Sequence, residues 1–230
     1  MAHLMAARVA FLEHGAWDVP GMLGERARSL GFDCEAFRAD RGPAGLPRPD
    51  GFDALVVMGS AASVTDRTRD WIDHERRLVA GAVAGGTPVL GICFGGQLLA
   101  QVLGGRVTRA DRKEIGWRRL ETGDPSRIPP GPWLVWHDDR ITAPPGVEVV
   151  ARTALCLHAF ISGPHTGLQF HPEVDRDIVG HWVAEARAEG TMDEAVATEL
   201  LEGFGGTGRG TEAQTHRIFD GFVERAGLSA

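Results

Sequence analysis

With 230 residues and a net charge of −7, the chain is long enough for a substantial core and shows no basic surface for nucleic acid. Its 43% apolar and 24% charged residues are ordinary for a globular protein, and no apolar run approaches the ~20 residues that span a bilayer. The three cysteines lack the spacing of a disulfide framework and residues 1–8 lack a signal-peptide core, so we expect a cytoplasmic protein with no membrane contact.

The first hundred residues alternate apolar runs of strand length with amphipathic segments of helix length. In chain order they predict a strand at 7–12, a helix at 20–30, strands at 32–38 and 52–58, a helix at 66–84, a strand at 87–92 and a helix at 94–103, with a Pro/Gly-rich loop at 41–50. Regular alternation predicts an open, mostly parallel twisted sheet with helices on both faces. Functional sites of such sheets lie at the carboxyl ends of the strands.

The second half is different in character. It predicts short strands at 105–109, 116–120, 133–136, 148–152, 155–161 and 167–170, a loop at 122–132, helices at 175–189, 191–203 and 211–226, and a flexible segment at 204–210. We therefore expect one domain over residues 1–230, with a small β-rich insertion and a helical C-terminal extension over residues 175–230.

Cys93 lies between the fourth predicted strand and the helix after it, with Gly91 and Gly95 on either side. A strand–turn–helix with the pattern G-x-C-x-G is typical of a nucleophile elbow, in which glycines relieve crowding at a sharp turn. The free N–H groups and the dipole of the following helix favour a thiolate. The alternative is a small buried cysteine at an ordinary strand-to-helix turn.

His171 and Glu173 flank Pro172, which favours extended backbone for the histidine. In extended chain, side chains two residues apart point to the same side, so the Glu173 carboxylate can orient the His171 ring. A base with an orienting carboxylate completes a triad with a cysteine nucleophile. The alternative is a surface histidine beside an acidic residue.

Acyl transfer also needs donors for a tetrahedral oxyanion. The backbone N–H of Phe94, directly after the cysteine, is one candidate. The second can come from Gly59 or Ser60, in the loop after the third predicted strand, although that loop can also be an ordinary turn.

Four segments together carry a resemblance to a known family: MGSAAS (58–63), GICFGGQ (91–97), LGGRV…KEIGW (103–117) and LQFHPE (168–173). They resemble class I glutamine amidotransferases, in particular stand-alone proteins similar to the glutaminase domain of GMP synthase. The resemblance covers roughly residues 50 to 190 and implies a flavodoxin-like fold. It disfavours a rival cysteine-elbow family, which lacks QFHPE.

The resemblance implies a Cys93–His171–Glu173 triad that forms a thioester, with an oxyanion hole from the amides of Gly59 and Phe94. It also places Gln97 where the family contacts bound glutamine, although position 97 can equally be solvated. The implied reaction is hydrolysis of the glutamine γ-amide without a cofactor, with ammonia passed to a partner synthetase.

Departures from the family pattern concern the substrate. Gly59-Ser60-Ala61 replaces Gly-Gly-Pro, Gly96 replaces His or Met, and His158-Ala159-Phe160 replaces Gln-Ala-Phe. The His-Gly-Asp loop reads His137-Asp138-Asp139 after Trp136. The extra charge of Asp138 can disfavour a substrate carboxylate, whereas Asp138 or Asp139 can pair with an α-ammonium group. Together with Gln97, the expected substrate-binding residues are therefore Ser60, His137, Asp138 and Asp139.

The sequence leaves open which acceptor receives the ammonia. We expect no acceptor domain in 230 residues, and no phosphate-binding loop is present in the sequence. The protein is then either partnered by a synthetase subunit or a free-standing hydrolase of γ-glutamyl peptides or amides. A non-catalytic binding or redox-sensing protein is the third alternative. No metal site is expected, because the nine histidines are scattered and no pair of them has a ligand spacing with acidic residues that is stronger than the triad.

Overall fold

A computed structural model describes residues 6–48, 50–206 and 210–229. The strands are β1 Arg8–Glu13, β2 Asp33–Arg38, β3 Ala54–Val57, β4 Val89–Ile92, β5 Arg106–Arg118, β6 Glu121–Thr122, β7 Trp133–Thr142, β8 Glu148–Arg152, β9 Leu157–Ser162 and β10 His165–Leu168. The helices are α1 Gly21–Ser29, α2 Asp70–Ala84, α3 Phe94–Val102, α4 Arg176–Ala188, α5 Glu194–Gly203 and α6 Thr211–Ala226. Residues 207–209 of the predicted flexible segment lie outside the described residues.

The main sheet has eight strands in the order β2-β1-β3-β4-β10-β9-β8-β6. Strands β2, β1, β3, β4 and β10 are parallel, and the last three strands pair antiparallel at one edge. The predicted open, mostly parallel sheet is confirmed. The carboxyl ends of β1, β3 and β4 lie side by side, so the loops that follow these strands share one edge.

The helices cover both faces of this sheet, as predicted, because successive strand residues point to opposite sides. In β1, Val9 and Phe11 pack toward the cluster that includes α1 and α6. Ala10 and Leu12 pack toward the cluster that includes α2 and α3. Among the described residues, no helix is long and apolar enough to cross a bilayer.

The β-rich insertion is a two-stranded antiparallel ribbon of β5 and β7. The predicted strands at 105–109 and 116–120 are parts of one strand, β5. The charged run between them resembles a loop in sequence but forms an irregularity in the pairing between Arg109 and Glu114. Helices α4 and α5 pack on this ribbon, with Trp117 and Leu134 in the shared core.

The helical C-terminal extension is therefore divided between two places. While α4 and α5 cover the ribbon, α6 packs beside α1 on the main sheet through Ile218, Phe219 and Phe222. The division of the chain into one domain with a C-terminal extension stays a prediction.

Candidate active site

Cys93 lies at the turn between β4 and α3 with φ 49° and ψ −104°, and it is the one non-glycine residue at positive φ in the described part of the chain. Such backbone is strained for a residue with a Cβ, and strain of this kind concentrates at functional sites. A Cβ on Gly91 would lie 2.4 Å from the Gly95 carbonyl, and one on Gly95 would lie 2.1 Å from the Val57 carbonyl. The predicted strand–turn–helix elbow is present, and its glycines are required by backbone contacts.

Gly96, which stands where the family has His or Met, is also required for steric reasons. A Cβ at this position would lie 2.3 Å from the carbonyl oxygen of Leu168. Strand β10 therefore packs directly on the backbone of α3, just before the His171 segment.

His171 and Glu173 meet as the sequence predicted. Nδ1 of His171 lies 2.8 Å from Oε1 of Glu173, and both side chains are buried. Cys93 lies beside the same ring, since a Cβ added at Gly59 would be 3.1 Å from Cε1 of His171 and 3.8 Å from Cβ of Cys93. The ring also meets the edge of Trp182 at a centroid distance of 5.0 Å, which shields it from water.

The protonation of His171 follows from these neighbours. Burial lowers the pKa of the imidazole, but the Glu173 carboxylate and then the Cys93 sulfur raise it, so that the pKa lies well above its ordinary value. These two neighbours therefore favour the cationic form of the His171 ring.

Three backbone contacts hold the segment that carries the histidine. The His171 N–H donates to the Leu134 carbonyl of β7, and the Thr215 hydroxyl of α6 donates to the Pro172 carbonyl at 2.6 Å. The Met22 N–H at the start of α1 donates to the Glu173 carbonyl. Elements far apart in sequence therefore fix the position of the ring.

A buried histidine lies behind the loop that follows β3. Nδ1 of His14 is 2.7 Å from the Gly59 carbonyl, and Nε2 is 3.0 Å from both carboxylate oxygens of Glu75. Because a carbonyl oxygen only accepts hydrogen bonds, Nδ1 of His14 donates to Gly59. Burial lowers the pKa of His14, but Glu75 outweighs it and the pKa is raised. No motif in the sequence identified His14 or Glu75.

The side chain of Gln97 is buried and takes part in a chain of contacts. Nε2 of Gln97 donates to Oε1 of Gln169 at 3.1 Å, and Nε2 of Gln169 lies 3.5 Å from the Cys93 sulfur. The alternative of a solvated Gln97 is therefore wrong. Gln169, within the LQFHPE segment, contacts the sulfur directly and was not singled out from the sequence.

Cys93 and His171 open onto one pocket of about 390 Å³. Its lining includes the predicted residues Gly59, Ser60, Cys93, Phe94, Gln97, His137, Asp138, Asp139 and His171. Asp18, Arg109, Trp182, Glu185 and Glu189 also line it and were not predicted. Because a pocket of this size admits a small metabolite, the arrangement can hold an amide against the Cys93 sulfur.

The model of the family described as "Glutamine amidotransferase class-I" matches residues 19–185, which contain Gly59, Cys93, His171 and Glu173. The chain belongs to this family. The resemblance read from the sequence motifs is thereby confirmed.

Two relatives of this amidotransferase are GMP synthases (glutamine-hydrolyzing). That of Alkalilimnicola ehrlichii is 34% identical over 74% of this chain and 34% of its own length, and that of Thermomicrobium roseum is 36% identical over 75% and 32%. The chain thus spans about a third of the length of these relatives. A crystal structure of a glutamine amidotransferase from Methylobacillus flagellatus superposes with a TM-score of 0.86 at 26% identity, covering 98% of this chain and 96% of that one.

The charges of the amidotransferase loop at 137–139 are partly offset. Nη2 of Arg109 lies 3.2 Å from Oδ2 of Asp138, and Nη1 lies 3.8 Å from Oδ1 of Asp139. Asp139 also accepts a hydrogen bond from the Ser63 hydroxyl. The extra negative charge expected at Asp138 is therefore countered by Arg109, which the sequence analysis did not identify.

His137 borders the pocket, but its ring nitrogens point elsewhere. Nδ1 lies 3.0 Å from the Asp139 carbonyl, and Nε2 lies 3.3 Å from Oε2 of Glu114. Neither nitrogen is left for a substrate, so the substrate-binding role expected for its side chain has no geometric support.

Glu114, His137, Cys156 and His158 together form a cluster in which four potential metal-ligand atoms lie within 4.8 Å of one another. No metal site is expected from the sequence. One signal was available, since Cys156 and His158 are two apart and can face the same side of a strand. The contribution of Glu114 and His137 depends on the pairing of strands.

Proposed function

We propose that this amidotransferase hydrolyses the γ-amide of glutamine through a thioester on Cys93 and supplies ammonia to a partner synthetase. The observation that carries the proposal is a strained elbow cysteine beside a buried, Glu173-oriented His171, inside the region that matches the family. The partner and the triad chemistry are proposals, which the residues support as follows.

In the first step, the Cys93 sulfur attacks the carbonyl carbon of the amide. The raised pKa of His171 suits this ring to accept the thiol proton of Cys93. Glu173 holds Nδ1 of the ring, which leaves the opposite nitrogen available to the sulfur.

The oxyanion requires two N–H groups aimed into the pocket. The Phe94 amide, at the first residue of α3, has no partner within its own helix. In a trans peptide, N–H and C=O point in opposite directions. Because His14 holds the Gly59 carbonyl on the buried side, the N–H of Ser60 faces away from His14, on the side of the pocket. This favours the Ser60 amide over the Gly59 amide that the family resemblance implies.

Collapse of the tetrahedral intermediate breaks the C–N bond. The His171 imidazolium donates its proton to the leaving nitrogen, and ammonia departs. The same ring then removes a proton from water, which attacks the thioester and releases glutamate and the Cys93 thiol. Each oxyanion donor is worth roughly 3 to 4 kcal/mol in such sites.

The charge of one pocket wall supports a second candidate, a free-standing hydrolase of γ-glutamyl amides with a cationic amine. Asp18, Glu185 and Glu189 line the wall near Trp182. A positively charged leaving group would be attracted by these carboxylates, whereas the amide group of glutamine is neutral and would not be.

A product assay distinguishes these functions. Purified protein is incubated with glutamine, γ-glutamyl peptides and γ-glutamyl diamines, with and without candidate synthetases, and the release of ammonia, amine and glutamate is measured by mass spectrometry. Ammonia release from glutamine that rises with a synthetase supports the amidotransferase, whereas amine release without any partner supports the hydrolase. If wild type and Cys93→Ala are equally inert in every mixture, the enzymatic proposal fails and a binding or sensing role remains.

A chemical probe tests the nucleophile separately. An alkylating glutamine analogue should label Cys93 and spare Cys34 and Cys156. Burial raises the pKa of the Cys34 thiol, which makes it a matched unreactive control. Equal labelling of all three cysteines would show that Cys93 is not activated.

A further inference from the structure

The cluster of Glu114, His137, Cys156 and His158 lies beside the pocket but outside the proposed triad. Glu114 belongs to β5, His137 to β7 and His158 to β9, and Cys156 directly precedes β9. We propose that these four side chains form a tetrahedral zinc site that joins the β5–β7 ribbon to the main sheet.

The four donor atoms lie within 4.8 Å of one another, so they can converge on one central ion if the wider separations shorten when it binds. Oε2 of Glu114 lies 3.3 Å from Nε2 of His137, 3.0 Å from Nε2 of His158 and 3.6 Å from the Cys156 sulfur. The sulfur lies 3.4 Å from Nε2 of His158 and 4.0 Å from Nε2 of His137. Tetrahedral Zn²⁺ with bonds of about 2.0 to 2.3 Å places its ligands roughly 3.3 to 3.6 Å apart.

The orientation of His137 is that of a metal ligand. Its Nδ1 donates to the Asp139 carbonyl, because that oxygen only accepts, and the neutral ring therefore presents a lone pair at Nε2. This lone pair faces a carboxylate oxygen of Glu114 at 3.3 Å. Two acceptors at that distance require a cation or a proton between them. A backbone carbonyl that holds the second nitrogen is the usual outer support of a zinc-bound histidine.

Hydrogen bonds alone account poorly for the same cluster. Oε2 of Glu114 is approached by His137, His158, Cys156 and the hydroxyl of Thr153, which lies at 3.3 Å. A single carboxylate oxygen has two lone pairs and cannot satisfy four donors. One central cation uses the lone pairs of all four proposed ligands at once.

The charge and burial of the cluster also suit zinc. Glu114, His137 and His158 are buried and Cys156 is half-buried. A thiolate and a carboxylate supply two negative charges, which Zn²⁺ cancels, so the occupied site is neutral as a buried site should be. A mixed set of nitrogen, sulfur and oxygen donors in a closed tetrahedron is typical of structural zinc, not of calcium or magnesium.

The proposed zinc site lies next to a segment that lines the pocket. His137 is followed directly by Asp138 and Asp139, which line the pocket together with Trp136. An ion held by β5, β7 and β9 would therefore fix the segment that contacts substrate, at a distance from the sulfur of Cys93. The proposed hydrolysis does not depend on this ion for its chemistry.

The test uses the full chain, purified without chelator and analysed by elemental mass spectrometry. We expect about one zinc per chain after dialysis. Removing the metal and then adding Zn²⁺ at about 100 times its dissociation constant should raise Tm by about 5 to 10 °C. Co²⁺ in place of zinc should give the strong visible absorption of a tetrahedral ion together with a thiolate charge-transfer band.

Variants assign the binding to this cluster. His158→Gln, which restores the family's residue, and Cys156→Ser should each weaken zinc binding at least about 100-fold, and Cys156→Ser should remove the thiolate band. Cys34→Ser, at a half-buried cysteine elsewhere, is the matched control and should bind normally. If either variant fails to fold, the Co²⁺ spectrum of the wild-type protein still decides the coordination.

Two results would overturn the proposal. Wild-type protein with no retained zinc and no change of Tm on adding Zn²⁺ would mean that protons hold the cluster together. Equal zinc binding by the wild type and both variants would place the metal elsewhere on the chain. Neither result would affect the proposed function, which the product assay tests without reference to metal.

Discussion

Nδ1 of His14 donates to the Gly59 carbonyl at 2.7 Å, and the same ring is held by Glu75, 61 residues further along the chain. The His14–Glu75 pair therefore fixes the Gly59–Ser60 peptide from the buried side of the pocket. If the Ser60 amide is an oxyanion donor, His14 acts as a positioning residue without contact to substrate.

The first prediction concerns this peptide. The double variant His14→Leu/Glu75→Leu removes both partners, so no buried charge is left unpaired and folding should be retained. We expect kcat to fall about 10- to 100-fold with little change in KM, since part of one oxyanion donor's effect is lost. Steady-state kinetics measure this, with Tm as a check on folding.

A matched control separates the effect from general disturbance of the core. His165→Leu also replaces a buried, hydrogen-bonded histidine, but His165 contacts the Val89 amide at the other end of β4. Its kcat should stay within about twofold of wild type. Equal losses in the two proteins would remove the special role of His14.

The second prediction concerns the support of the His171 segment by α6. Thr215→Val deletes the hydroxyl that donates to the buried Pro172 carbonyl, and leaving this acceptor unpaired should lower the free energy of unfolding by about 1 to 3 kcal/mol. Thr198→Val makes the same change at an exposed position of α5 and should cost under about 0.5 kcal/mol. Urea unfolding of both variants checks the difference, and equal destabilisation would contradict it.

The third prediction is a pH dependence. Burial raises the pKa of Asp18 to about 6, although His14 and His171 oppose the shift. Because the folded pKa exceeds the unfolded value of about 3.9, the folded state binds the proton more tightly and stability falls as pH rises between about 4 and 6. Above pH 6 the ionised carboxyl costs at most about 3 kcal/mol.

Asp18→Asn should remove this cost. The variant is expected to be more stable than wild type at pH 7.5 and nearly equal to it at pH 4, as measured by urea midpoints at both values. A difference that is the same at both pH values would show that Asp18 does not titrate in this range.

The fourth prediction concerns substrate binding beside Asp138. Arg109→Gln leaves Asp138 and Asp139 without their cation, so a substrate α-carboxylate should meet repulsion. We expect KM for a γ-glutamyl substrate to rise roughly 3- to 10-fold at low salt, with a smaller change at high salt because Arg109 is exposed. Arg106→Gln, on the same strand and exposed, should leave KM unchanged.

The site residues that could be predicted from the sequence lie in short contiguous motifs. Cys93 lies between its glycines, and His171 and Glu173 are two residues apart, so local backbone geometry brings them into place. His14, Asp18 and Arg109 carry no motif. The order of strands in the main sheet brings His14 behind the Gly59 loop and Asp18 to the pocket, whereas the pairing of β5 with β7 brings Arg109 there. The cluster around Glu114 depends on the pairing of β5 with β7, and the sequence analysis divided β5 into two strands.

The positive φ of Cys93 has a consequence for how this protein can evolve. Backbone of this kind costs roughly 1 to 3 kcal/mol for a residue with a side chain, and glycine does not incur that cost. Cys93→Gly should therefore be more stable than Cys93→Ala, the reverse of the order at ordinary positions, and thermal unfolding of the two variants compares them directly. Selection for stability alone would therefore favour glycine over cysteine at position 93.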